Sequence, residues 1–81
     1  MTSLIDREQL RRDLSDALHA LQRDQDVTGL DVLAGSLSVL GEPYAFHGRL
    51  VQSGLAAMPR NYSALIWTLM QVLDKLERDV T

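Results

Sequence analysis

Apolar residues recur along this chain at helical spacing in four blocks separated by short polar or Gly/Pro-containing breaks. The first block is Leu10, Leu14, Ala17, Leu18 and Leu21, a narrow stripe opposite Arg12, Asp16, His19 and Arg23. Asp6 with Gln9 three residues on forms a capping box, and Ile5 with Leu10 a hydrophobic staple, so a helix is expected over about 7–24. A second start signal pairs Thr28 as N-cap with Asp31, and Val27 with Val32 as staple, for a helix over about 29–40. Leu30, Leu33, Leu37 and Leu40 line one of its faces. Val32 and Val39 lie on a separate flank, which implies packing on two sides. Gly41 offers a left-handed cap and Pro43 bars simple continuation.

The third block, about 44–57, carries Phe46, Leu50, Val51, Leu55 and Met58 on a broad apolar face that also holds Gly54. Gly48 and Gly54 each cost about 1 kcal/mol against alanine in a helix. A glycine on a packing face also lets two helices approach closely. Asn61 is the expected cap of the last helix, about 62–79. Its stripe is Tyr62, Leu65, Ile66, Leu69, Val72, Leu73 and Leu76, extended by Val80. The connections are short, so sequential helices should be antiparallel neighbours. The expected fold is all-α: one domain, a compact bundle of four short helices, the two long ones enclosing the two short ones.

Composition narrows what such a bundle can do. At 81 residues the chain buries a small fraction of its surface, and it has no cysteine to staple the fold or ligate a metal. Two histidines rule out a His-rich metal cluster. No cofactor is expected. The net charge of −3 disfavours nucleic acid, whose binders neutralise phosphates with basic side chains. No apolar run has the length of a membrane span, and the first residues lack a signal-peptide pattern, so the expected location is cytoplasmic. Between residues 27 and 62 the charges are Asp31, Glu42, Arg49 and Arg60 alone. A charge-poor centre is either well buried or part of an interface.

Several local groupings invite a chemical reading. Ser15, Asp16 and His19 share a helix face, but they are local and exposed and lack the pocket, oriented base and oxyanion site of a triad. Asp24 and Asp26 read as turn residues without calcium-loop spacing. His47 projects onto the apolar face of the third helix, where a neutral, hydrogen-bonded structural role is expected. Leu37 to Arg49 has the outline of a helix-turn-helix, yet its second helix opens Tyr-Ala-Phe-His-Gly-Arg, too apolar for base readout. The group Leu40-Gly41-x-x-Tyr44, with the later Pro59, resembles a tetratricopeptide hairpin, although the two parts do not share one register of that repeat. That resemblance implies a likeness to small helical secretion chaperones.

Trp67 stands out because it projects well away from the stripe of its helix, on the side of Gln71, Asp74 and Arg78, with Met70 at the edge. Tryptophan buries much area and carries a donor, which enriches it in binding hot spots. The expected function is therefore a non-enzymatic protein–protein interaction module: an adaptor, chaperone or inhibitor. Its candidate partner face is Trp67, Met70, Gln71, Asp74 and Arg78, and the partner is another protein or a second copy. The alternatives are a secretion-type chaperone or assembly subunit, and a dimeric nucleic-acid regulator.

Overall fold

The computed structural model describes residues 6–80, which form four helices: α1 (Arg7–Asp24), α2 (Leu30–Leu40), α3 (Tyr44–Ala56) and α4 (Tyr62–Val80). The side chain of Val80 and the Ile5 half of the first staple lie outside the described residues. Asp6 caps α1 as its sequence requires, its carboxylate accepting from the Glu8 and Gln9 amides at 3.0 and 3.2 Å. Gln25, at φ 55°, closes the other end by returning its amide to Leu21 O. Asn61 caps α4 by accepting from the Ala64 amide at 3.0 Å.

The start of α2 differs from the capping box expected at Thr28. Asp26 accepts the Thr28 amide at 2.9 Å in a side-chain turn, and hydrogen bonding from the Thr28 side chain, then from its amide, holds the carboxyl below the usual range. Gly29 then takes the N-cap position at φ +80°, with no side-chain cap, and the helix begins one residue later. Left-handed backbone suits glycine there, whereas Thr28 would be strained in it. The Val27–Val32 staple is absent as well. Val27 packs against the core, but Val32 is 69% exposed.

Leu10, Leu14, Leu18 and Leu21 of α1 meet Leu65, Leu69, Val72 and Leu76 of α4, with Leu30, Ala34 and Leu37 of α2 and Tyr44 and Val51 of α3 completing one core. The long helices do not enclose the short ones. Instead α1 lies against α4 and α2 against α3, α3 meets α4, and α1 touches α2 only loosely. The start of α3 reaches the end of α4 through Tyr44 and Asp79, while Gly54 near its end meets Leu65 near the start of α4. These two helices are therefore antiparallel.

Helix α3 is rotated from the face its hydropathy implies. The buried positions are Tyr44, Ala45, Gly48, Val51 and Gly54, whereas Phe46 is half-exposed and Met58 almost wholly so. Glycines set this register. A Cβ built on Gly48 would lie 2.7 Å from Ala34 O, and one on Gly54 would lie 2.9 Å from Leu65 Cδ2. Backbone-to-helix approach at both positions turns α3 so that Phe46 points outward, under the Arg49 guanidinium at 5.9 Å. Helix α2, likewise, packs on one side and not two: Val32 and Val39 are both about two-thirds exposed.

Candidate protein-binding surface

The residues that put Trp67 on the outside are those that bury its helix neighbours. Leu65, Thr68, Leu69 and Val72 fix the inner side of α4, with the Thr68 hydroxyl satisfied by Ala64 O at 2.8 Å. Positions 67, 70, 71, 74 and 78 follow at three- and four-residue steps along the outer side. Trp67 is 57% exposed and Met70 50%, and Gln71, Asp74 and Arg78 are exposed below them. Arg78 and Asp74 pair at 2.7 Å, one turn apart. Two large apolar side chains thus stand beside a helical ion pair on one solvated face. Such a pair is worth little to stability at this exposure.

The structure adds what the α4 sequence alone does not contain. Trp67 forms one wall of a groove of about 250 Å³ whose other residues include Leu50, Ser53 and Ala57 of α3 and Ala64 and Thr68 of α4. Gly54 lies at its base, where its missing side chain lets α3 approach Leu65. The groove is mainly apolar, so an aliphatic or aromatic side chain entering it would lie against the indole. Leu50 was legible as apolar but not as part of this surface, because its position depends on the rotation of α3.

The other groupings stay apart or serve the fold. No hydrogen bond joins Ser15, Asp16 and His19 among the described residues. His47 places Nδ1 3.0 Å from Pro43 O and its ring edge-on to Phe46. No group of three or more His, Cys, Asp or Glu that could hold a metal occurs among the described residues. No helix among them is long and apolar enough to cross a membrane.

Comparison with protein families, curated proteins and solved structures gives no match.

Proposed function

We propose that this protein is a small, non-enzymatic helical module that acts by binding another protein through the outer face of α4. The observation that carries this reading is the exposure of Trp67 beside Met70 at the lip of an apolar groove. With about half of each side chain still in water, roughly 1 kcal/mol of further burial is forgone at each, a cost that a partner surface removes. Gln71, Asp74 and Arg78 supply the polar rim that surrounds an apolar centre in ordinary interfaces. An adaptor, chaperone or inhibitor fits equally within this class, and a second copy of the chain is a close variant of the partner.

The test uses wild-type protein and Trp67→Glu as paired baits in lysate of the native host, with sedimentation of both. A protein held by wild type and lost by the variant supports the reading and places the interface. A concentration-dependent mass lost in the variant identifies the partner as a second copy. Identical capture by both baits rejects the Trp67 face, and a monomer that captures nothing rejects the module itself.

A further inference from the structure

The loosest seam of the bundle, between α1 and α2, has the geometry of a place for another helix. Two adjoining openings of about 480 and 230 Å³ run along it, sharing Asp13, Val32 and Leu33. The α1 wall is spaced in alternating threes and fours: Asp6, Gln9, Asp13, Asp16 and Ala20. That is the spacing by which one helix meets another along a supercoiled seam. It borders the buried Leu14, Leu18 and Leu21 stripe and shares Leu10 and Ala17 with it. On α2 the wall repeats the pattern with Gly29, Val32, Leu33 and Ser36. From Asp6 to Ala20 the wall spans roughly 20 Å, about four helical turns.

Charge selects the occupant. The floor is apolar (Ala17, Ala20, Leu33), while the α1 lip carries three carboxylates and no basic side chain lines either opening. Among the described residues no Lys or Arg reaches ion-pair distance of Asp6, Asp13, Asp16 or the nearby Asp31. The arginines are engaged elsewhere: Arg7 with Asp79, Arg11 and Arg12 with Glu8, Arg23 with Asp24, Arg49 with Glu42, Arg78 with Asp74, and Arg60 with the Leu55 carbonyl. Much of the molecule's unmatched negative charge therefore lies along this seam. We infer that the α1–α2 groove binds a basic amphipathic helix of a partner protein, its apolar side on Ala17, Val32 and Leu33 and its lysines or arginines on Asp13 and Asp16. This surface is separate from the Trp67 face, so each stands or falls by itself.

The probe is a synthetic amphipathic peptide of about 14 residues, built from leucine and lysine, with a leucine–glutamate peptide of the same apolar pattern as its counterpart. Titration by calorimetry at low salt should show the lysine peptide binding the full chain and the glutamate peptide not. Added salt should lower that affinity. Asp13→Lys combined with Asp16→Lys should weaken binding on the order of tenfold or more, whereas Asp24→Lys combined with Glu42→Lys, the same change of charge at exposed positions outside both openings, should leave it close to wild type. Val32→Lys, at an exposed position on the other wall, should also weaken it. No binding of the lysine peptide, equal binding of both peptides, or equal loss in the two double variants overturns the inference.

Discussion

The phenol of Tyr44 donates a hydrogen bond to the carboxylate of Asp79, 35 residues further along the chain. The same carboxylate lies 3.7 Å from the guanidinium of Arg7, which itself sits 5.7 Å from the centre of the Tyr44 ring. One polar knot thus ties the start of α1, the start of α3 and the end of α4. Tyr44 is otherwise buried in the core.

Removing that hydroxyl tests the knot. Tyr44→Phe keeps the ring packing and should cost about 1 kcal/mol, read as a lower midpoint in chemical denaturation. A larger loss would mean that Asp79 depends on the phenol for more than one bond, and no loss would mean that the bond is made equally well to water.

Alkaline pH should act on the same residue. Burial first, and then the Asp79 bond, push the Tyr44 pKa up to about 12. The unfolded chain releases this proton near its ordinary value of about 10. The stabilisation is therefore fully present below about pH 10 and is lost as pH rises toward 12. The stability difference between wild type and Tyr44→Phe should shrink across that window. An unchanged difference would show that the phenol titrates normally.

Two glycines should answer alanine in opposite directions. At Gly48 a Cβ meets the Ala34 carbonyl at 2.7 Å, so Gly48→Ala must push α2 and α3 apart and should destabilise by about 1–3 kcal/mol. At Gly35, exposed in mid-helix, nothing lies within 4 Å, so Gly35→Ala should stabilise by about 0.5–1 kcal/mol. Thermal melts of both variants check the pair, and a shared direction would show that the α2–α3 spacing is not set as described.

Trp67 is the protein's single tryptophan, which makes the α4 face directly observable. In the free protein its emission should be that of a largely hydrated indole, moving to shorter wavelength when a partner covers it. Trp67→Glu should alter stability by no more than about 0.5 kcal/mol, because the residue is 57% exposed. A blue-shifted emission in the free monomer, or a marked loss of stability, would place the indole in the core.

Asn61→Ala should cost about 1 kcal/mol by leaving the Ala64 amide of the first turn without its acceptor. Proton exchange in that turn of α4 should quicken with it, and an unchanged melt would mean that water replaces the cap.

What the sequence determined was local. Four helices follow from the period of the leucines and from Asp6 and Asn61, whose side chains act within three residues of themselves. The outward position of Trp67 could be read in the same way, because α4 has a strong one-sided stripe and the opposite side follows by geometry. Thr28 misled because Asp26, two residues earlier, binds its amide and hands the N-cap to Gly29. Only the tertiary structure decided which side of α3 faces inward, since glycine adds no hydropathy and its effect lies in the atom it lacks. Tertiary packing likewise left Val32 and Val39 in water, opened the α1–α2 seam, and joined Tyr44 to Asp79. Periodicity reports which faces are apolar, but the close approach of backbones and the meeting of distant polar groups depend on how those faces are placed against one another.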